Sequence, residues 1–282
     1  MGKYKIKIGI IGGSGLEDPA NQFFKSNEVF KNEDAKNEFG LPSSHLCQGT
    51  IAGIDVVLLS RHGSGHKKAP TAVNYRANIE ALRLVGCTHI LASTACGSLA
   101  ESIGRGQLVI PDSFIDRTVH RKNTFYDGTS ANFSGVCYVP CEPAFDPRVA
   151  DILEKAAKEL DISVKKGATV VTIEGPRYSS KAESNMFRQW GGHLINMTTC
   201  PEVYLAKEAG LLYAAVAIAT DYDCWKDSED IVCAPEVIKE FKKNVGKVTQ
   251  LIVKTVELIG KEDWDQQIDD LKTVLKTNNI SH

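Results

Sequence analysis

The sequence lacks the closely spaced cysteines of a disulfide framework or a zinc module. Its eight cysteines are scattered over 282 residues with no C-x-x-C pair, whereas disulfide frameworks crowd short secreted chains and structural zinc sites use paired ligands. Cys137 and Cys141 follow His120, but a second ligand pair is missing, so we predict no metal site. Scattered thiols within apolar runs are typical of a reduced protein of the cytoplasm.

Charge imbalance and long apolar runs are also missing. The chain has 33 Lys+Arg against 35 Asp+Glu, a formal net charge of -2, and neither a basic patch nor an acidic block stands out. No apolar run reaches the roughly 18 residues that a membrane-spanning helix needs, and the apolar stretch near the N-terminus is too short for a signal peptide. We therefore expect a small-molecule ligand, with neither nucleic acid nor membrane as a partner.

Short apolar runs rich in β-branched residues recur along the chain, as expected of strands buried on both faces. These runs cover residues 7–11, 55–59, 89–93, 108–115, 169–173, 193–197 and 213–219. Helical patterns cover residues 71–86, 146–160, 199–210 and 235–260. Because we find neither a repeat nor a linker-like stretch, this alternation predicts one α/β domain over residues 1–282.

Two of the predicted helices begin with a capping signal. Asp146 precedes Pro147, which suits the N-cap and the first helical position. Thr199 and Glu202 have the spacing of a capping box. Residues 117–145 show no regular pattern, and an irregular stretch of this length in a compact domain is more often functional than idle.

Polar residues follow almost every predicted strand. In open α/β sheets, ligands bind outside the carboxyl ends of the strands, so we expect these residues to converge on one site. They occupy positions 12–15, 61–62, 94–97, 174–175, 196–198 and 220–223. This convergence is a stronger indication of a site than any single motif.

The glycine-rich stretch GIIGGSG, at residues 9–15, is a weak signal by itself. It does not match the G-x-G-x-x-G dinucleotide fingerprint, and no acidic residue ends a second strand about 20 residues later. A tight connection and a ligand loop both explain it. With Ser14, the turn offers backbone N–H groups and a hydroxyl to an anion.

The stretch SRHGSGH, at residues 60–66, leaves three interpretations open. It could be a solvated turn, it could carry a nucleophilic histidine as in enzymes with an Arg-His-Gly motif, or Arg61 and His62 could hold a phosphate that reacts elsewhere. The planar guanidinium suits phosphate oxygens, and Thr94 and Thr198 could add neutral donors. His66 is better explained as a structural residue.

Five stretches together point to a known family. They are GIIGGSGLED, SRHGSGH, TIEGPRYSSKAES, INMTTCPEVYLAKEAG and ATDYDCW. With them, the chain closely resembles the trimeric purine nucleoside phosphorylase family from about residue 6 to about residue 260. It departs from the family at Tyr138, where histidine is frequent, at Ser14, where threonine is common, and at TNNISH, which lacks the family's apolar tail.

The resemblance implies an α/β fold, with a mixed central β-sheet flanked by helices, and a homotrimer of the cytoplasm and nucleus. The implied reaction is phosphorolysis: phosphate and 5'-methylthioadenosine give adenine and 5-methylthio-D-ribose 1-phosphate, with inversion at the anomeric carbon, in purine and methionine salvage. Inorganic phosphate is a co-substrate, and no cofactor is expected. His62 would then bind phosphate without forming a phosphoryl-enzyme.

The resemblance also implies the site residues. Phosphate would be bound by Ser14, Arg61, His62, Thr94, Ala95 and Thr198. The nucleoside would be bound by Cys96, Gly97, Ile173, Tyr178, Asn196, Met197, Tyr222, Ala234, Val237 and Ile238, with His66 and Tyr138 nearby. Asp221 would be the acid that donates a proton to purine N7, and Asp223 would accept from the 6-amino group.

Two other functions remain open. A phosphorylase of 6-oxopurine nucleosides is disfavoured because a 6-oxo group needs a donor where Asp223 offers an acceptor. A nucleotide-cofactor-binding protein built on GIIGGSG belongs to a different class. Without the resemblance, residues 221–223 are equally typical of an ordinary turn after a strand, and Met197 of a core methionine.

Overall fold

The helices and strands are those of a computed structural model that describes residues 2–13, 28–31, 33–227 and 232–280. The strands are β1 (Lys7–Gly12), β2 (Glu28–Phe30), β3 (Leu46–Ile51), β4 (Ile54–Ser60), β5 (His89–Ser98), β6 (Leu108–Ile110), β7 (Ser113–Arg117), β8 (Val136–Cys137), β9 (Val164–Lys166), β10 (Thr169–Ile173), β11 (Leu194–Asn196), β12 (Leu212–Asp221) and β13 (Asn279–Ile280). The helices are α1 (Tyr75–Leu84), α2 (Pro147–Glu159), α3 (Lys181–Gln189), α4 (Thr199–Glu208), α5 (Ala234–Ile259) and α6 (Asp265–Asn278).

One large mixed sheet organises the fold. Its main path runs β2-β3-β4-β1-β5-β11-β10-β7, and β12 pairs with both β5 and β6, which in turn pairs with β9. The central strand β5 is parallel to β1 and β12 but antiparallel to β11. The predicted α/β fold with a mixed central sheet is therefore confirmed.

The apolar core lies on the two faces of this sheet, under the helices. Helices α2 and α5 cover one face, where Phe241, Val248 and Ile252 are fully buried. Helices α1 and α4 cover the other face, around Ile79 and Leu205. All ten residues of β12 are buried, as its continuous apolar run predicts for a strand covered on both sides.

The run predicted at residues 108–115 is two strands rather than one. Pro111 has no N–H to donate to a ladder, and it separates β6 from β7. The two halves then join different neighbours, β6 pairing with β12 and β9 while β7 pairs with β10. The helix predicted from residue 71 begins later, at Tyr75, because the side chain of Asn74 caps it by accepting the N–H of Ala77.

The two predicted capping signals have opposite outcomes. Asp146 caps α2 by accepting the N–H of Val149 at 2.8 Å. The capping box at Thr199 and Glu202 is wrong: the N-cap of α4 is Thr198, which makes no side-chain cap bond, and Cys200 has a non-helical backbone. The carboxylate of Glu202 turns toward the sheet instead. A capping box does form on α3, where Ser180 and Glu183 bond reciprocally.

The irregular stretch predicted at residues 117–145 contains only the short strand β8 beyond Arg117. That strand pairs with β13, close to the C-terminus, so that Cys137 lies opposite Asn279. Within the described residues, no helix is both long enough and apolar enough to cross a bilayer.

Candidate active site

A cavity of about 350 Å³ lies where the polar residues of several strands meet. The predicted site residues that line it are Arg61, His62, His66, Thr94, Ala95, Cys96, Gly97, Ile173, Tyr178, Asn196, Met197, Thr198, Asp221, Asp223, Ala234, Val237 and Ile238. Six further residues, which were not among the predicted binding residues, also line it: Ala69, Pro70, Pro176, Ser179, Ile195 and Thr220. Four of the six predicted groups of polar residues, at 61–62, 94–97, 196–198 and 220–223, therefore contribute to one cavity, whereas residues 12–13 and 174–175 do not line it and residues 14–15 lie outside the described residues.

The way in which the strands converge differs from the prediction in one respect. Thr94 and Gly97 do not follow a strand but lie inside β5, which continues to Ser98. Strand β11 enters from the opposite direction, with Ile195 paired to Gly97. The cavity therefore borders residues 94–97, inside the C-terminal half of β5 where β11 pairs antiparallel, rather than the carboxyl edge of a wholly parallel sheet.

Three predicted residues are not among those that line the cavity. Ser14 lies outside the described residues. Tyr222 does not line the cavity: its ring packs at right angles against Trp225, with Lys226 over it. Tyr138 is 65% exposed beside β8 and does not border the cavity of its own chain.

Arg61 is the buried cation at one end of the cavity. Its Nε and Nη2 donate to the two carboxylate oxygens of Glu202 at 2.6 and 2.7 Å, and its Nη1 donates to the carbonyl of Ser93 at 2.9 Å. Burial alone would lower the pKa of Arg61, but the Glu202 carboxylate raises it, so the guanidinium stays charged. A Cβ at Gly13 would lie 2.9 Å from Nη1 and 2.6 Å from the Ser93 carbonyl, so only glycine fits beside this cation.

His62 is neutral, and its hydrogen-bond partner sets its tautomer. Nδ1 lies 2.9 Å from the carbonyl of Lys68, which can only accept, so we assign the ring proton to Nδ1. Burial lowers the pKa of His62 to about 3, and the charge of Arg61 acts in the same direction. The ring also stacks on His66 at 4.2 Å. Nε2 is therefore left unprotonated, as an acceptor.

Neutral donors lie beside Arg61 and His62. Asn196 donates to the hydroxyls of Thr94 and Thr199, at 3.0 and 2.7 Å, and accepts from Thr172 at 3.1 Å. The bond to Thr94 ties its side chain, on β5, to Asn196 at the end of β11. Thr198, at the N-cap of α4, lines the same region. Together with Arg61 they give this end of the cavity the donors that an oxyanion requires.

Two aspartates define the opposite polar end. Burial raises the pKa of both Asp221 and Asp223, and the Asp223 charge raises that of Asp221 further. The carboxyl group of Asp221 bonds the backbone N–H of Asp223 at 2.7 Å and the hydroxyl of Thr220 at 2.8 Å. Asp223 has a positive φ of 50°, a conformation that aspartate tolerates better than most residues. A carboxyl of raised pKa in such a place suits a general acid.

An arginine outside the cavity wall holds several of its backbone segments together. Arg121 donates to the carbonyls of Met197 and Cys200, both at 2.7 Å, and to that of Glu174 at 2.8 Å. The Glu174 carboxylate in turn accepts the backbone N–H groups of Val119 and His120. The irregular stretch that begins after β7 is thereby fixed to the ends of β10 and β11.

Sequence reasoning did not find Glu202, Tyr213 (whose hydroxyl donates to Glu202 at 2.8 Å) or Arg121 as parts of this arrangement. Their partners are distant in the chain, and nothing in the local pattern reveals such pairs. Among the described residues, no group of three or more His, Cys, Asp or Glu side chains is arranged to hold a metal ion.

Comparison with known proteins gives consistent similarities. Residues 7–257 match the model of the Phosphorylase superfamily. The chain is 57% identical over 279 residues to S-methyl-5'-thioadenosine phosphorylase of Aedes aegypti, covering 98% of each protein. This similarity extends beyond the 6–260 range apparent from motifs.

Solved structures agree with these matches. Methylthioadenosine phosphorylase from Schistosoma mansoni in complex with adenine superposes with a TM-score of 0.92 at 40% identity, over 98% of this chain and 99% of that one. A mutant of the adenosine/methylthioadenosine phosphorylase from the same organism, in complex with methylthioadenosine, gives 0.91 at 40% identity, with the same coverage of both chains.

Proposed function

The chain belongs to the phosphorylase superfamily, and from that membership we propose that it catalyses the reversible phosphorolysis of 5'-methylthioadenosine to adenine and 5-methylthio-D-ribose 1-phosphate. The observation that carries the proposal is a single cavity with an oxyanion end at Arg61 and an acid end at Asp221. A reaction that joins phosphate to a sugar while releasing a purine needs these two ends together. The names of the similar proteins given above refer to the same nucleoside, either as the substrate or as the bound ligand.

At the oxyanion end, phosphate is positioned as the nucleophile. Arg61, Thr94, Ala95 and Thr198, with Ser14 outside the described residues, supply donors to its oxygens. Neutral His62 accepts the hydrogen of monohydrogen phosphate at Nε2, with His66 stacked behind it. As the C1'–N9 bond breaks, the ribosyl group develops positive charge, which the phosphate dianion stabilises and then captures from the face opposite the leaving purine.

At the acid end, the leaving purine is neutralised. Asp221 donates its proton to N7 of adenine, while Asp223 accepts from the 6-amino group. The proton that phosphate loses on forming the ester balances the one that adenine gains. Cys96 and Gly97 lie in the cavity wall and contribute to the base site through their backbone, whereas Tyr222 does not line the cavity and its ring packs on Trp225.

The remaining lining residues suit the apolar parts of the nucleoside. Tyr178 and Ile173 flank the base, and Met197 and Asn196 meet the ribose. At the 5' end, Ala234, Val237 and Ile238 present one face of the first turns of α5 to the cavity, which suits a methylthio group better than a charged or strongly polar substituent.

We also propose a homotrimer in which Tyr138 reaches the ribose site of an adjacent subunit. Tyr138 is 65% exposed, and its backbone N–H bonds the carbonyl of Asn278. Ile280, 49% exposed, pairs with Val136 in the same two-stranded sheet. An exposed apolar patch of this kind is typical of a surface that another chain covers. Sedimentation should give a trimer, and a fully active monomer at micromolar concentration would rule it out.

The proposed enzyme is one nucleoside phosphorylase domain over residues 1–282, works without a cofactor and acts in purine and methionine salvage in the cytoplasm and nucleus. The deciding experiment measures adenine released from 5'-methylthioadenosine with and without phosphate. Release that depends on phosphate supports the proposal, and release without phosphate contradicts it. Inosine in parallel tests the 6-oxopurine alternative, and NAD titration tests the cofactor-binding one.

A further inference from the structure

Glu202 is a buried carboxylate directly behind the oxyanion end of the cavity. It is 1% exposed. Within the described residues, Arg61 is the only positively charged group that makes an ion pair with it. Its Oε1 accepts from both Arg61 Nη2 at 2.7 Å and the hydroxyl of Tyr213 at 2.8 Å, and its Oε2 accepts from Arg61 Nε at 2.6 Å. Burying two charges is costly unless their geometry is well satisfied, and here it is.

The bonds of Arg61 determine what remains for a ligand. A guanidinium has five N–H groups. Glu202 accepts one from Nε and one from Nη2, and the carbonyl of Ser93 accepts one from Nη1. One N–H therefore remains on each terminal nitrogen. Two N–H groups on adjacent nitrogens are what a bidentate contact to two oxygens of one anion requires.

The position of Glu202 in the chain connects it to a second donor of the site. It lies in the first turn of α4, four residues after Thr198, and the backbone between them is non-helical at Cys200. This break turns the Glu202 side chain toward the sheet rather than back to the helix start. The same short segment thus carries Thr198 at the cavity and the carboxylate that holds Arg61.

We propose that Glu202, itself oriented by Tyr213, is a positioning residue of the oxyanion site, which fixes the guanidinium plane of Arg61 so that its two remaining N–H groups point together at phosphate. The inference rests on the proposed function for the identity of the anion. Neither Glu202 nor Tyr213 touches a substrate. Both lower the Michaelis constant for phosphate by orienting Arg61.

The test compares Tyr213→Phe and Glu202→Gln with the control Tyr204→Phe. Tyr204, in α4, likewise bonds a carboxylate, that of the half-buried Asp116 at 2.8 Å, but it does not line the cavity. We expect Tyr213→Phe to raise the KM for phosphate by about 2- to 10-fold, the range for one lost hydrogen bond. For Glu202→Gln we expect a rise of at least about 10-fold, since charge-assisted bonds are stronger. The KM for nucleoside should stay within about twofold in both.

Each other outcome overturns the proposal. Equal rises in both Michaelis constants would show a general loss of structure. The Tyr204→Phe variant measures how large such a non-specific effect is when a tyrosine loses its hydrogen bond elsewhere. A fall in the KM for phosphate in Glu202→Gln would show that the carboxylate opposes anion binding. If Glu202→Gln does not fold, the Tyr213→Phe result decides.

A binding measurement separates this inference from the proposed reaction. The shift in melting temperature caused by inorganic phosphate alone needs neither nucleoside nor turnover. We expect that shift to shrink in Tyr213→Phe and to be retained in Tyr204→Phe. If wild-type protein shows the shift but no phosphorolysis, the proposed function fails while this inference stands. An unchanged shift in Tyr213→Phe would refute the inference alone.

Discussion

The carboxyl group of Asp221 accepts the backbone N–H of Asp223 at 2.7 Å, so the two acids of the cavity are held in a fixed arrangement. The bond depends on the left-handed backbone of Asp223, whose φ is 50°. Burial raises the pKa of both groups, and two neighbouring carboxyls that share a site do not readily ionise together. A carboxyl of raised pKa beside a second carboxyl that can accept is the pairing that the proposed contacts to adenine N7 and the 6-amino group require.

The first prediction concerns Asp221→Asn. The amide oxygen can still accept the N–H of Asp223, and the amide nitrogen can donate to the Thr220 hydroxyl, so the fold should be kept. Because an amide has no proton to deliver to N7, kcat with 5'-methylthioadenosine should fall by roughly 10²-fold or more. Activity on inosine should fall less, or rise, since the amide can donate to a 6-oxopurine. Steady-state kinetics with both nucleosides measures this. Wild-type turnover would show that the proton has another source.

The second prediction concerns Gly97→Ala. A Cβ at this position would lie 2.9 Å from Asp221 Oδ1 and 2.9 Å from a methyl group of Ile195, so the aspartate must shift. Since displacement of a catalytic group by about 1 Å can cost about 10²-fold, kcat should fall sharply while the protein still folds. Gly246→Ala is the control, because nothing lies within 4 Å of a Cβ there. Equal activity of the two variants would mean that the position of Asp221 does not limit the reaction.

The third prediction concerns Arg61→Ala. Loss of the guanidinium should raise the KM for phosphate more than that for nucleoside. It should also lower the free energy of unfolding by about 3–5 kcal/mol, because Glu202 is left buried without its partner. Adding Glu202→Gln should recover part of that stability but none of the phosphate affinity. Urea unfolding and kinetics on the single and double variants measure both effects. No recovery would show that Arg61 stabilises the protein through other contacts.

The fourth prediction uses Glu208, which holds the irregular stretch after β7 against α4. Its carboxylate accepts the N–H of Phe125 at 2.8 Å and the hydroxyl of Thr124, yet burial raises its pKa from 4.5 to about 7. The folded state therefore binds more protons than the unfolded state between these values, so stability should fall as pH rises from about 4.5 to about 7, by about 3 kcal/mol at most.

The variant Glu208→Gln isolates this contribution. An amide does not titrate. The unfolding free energy of the wild type should therefore fall relative to that of the variant as pH rises through this window. Urea unfolding at pH 5, 6, 7 and 8 measures the difference. A constant difference across the series would mean that Glu208 titrates normally in the folded protein.

The sequence predicted the residues that line the cavity more accurately than the strand directions that bring them together. The runs that became β1, β4, β5, β10 and β12 are continuous and apolar, and a strand covered on both faces leaves such a pattern. The sequence did not reveal that β11 runs antiparallel to β5, because a run of three buried residues shows the same pattern in either direction. Tyr222 was placed at the site by the family resemblance alone, and because β12 ends at Asp221, alternation along the strand does not tell which way its side chain points.

Pairing over long sequence separations explains most of what was missed. Glu202 follows a threonine at the spacing of a capping box, so its local context indicates a helix start. Its actual partner is Arg61, 141 residues earlier. Arg121 lies in a stretch without pattern, and its acceptors are carbonyl groups, which carry no sequence identity at all. Only the assembled fold brings such groups together.

The distribution of the cavity wall along the chain also bears on how the protein unfolds. The lining residues run from Arg61 to Ile238 and come from β5, β10, β11 and β12, from the start of α5 and from connecting segments, which come together only when most of the sheet is formed. A fragment or a partly opened state therefore has no intact binding site. A ligand at 100 times its dissociation constant should then add about 2.7 kcal/mol against global opening, and slowed amide exchange should spread through β5 and β12 rather than stay in the loops that touch the ligand.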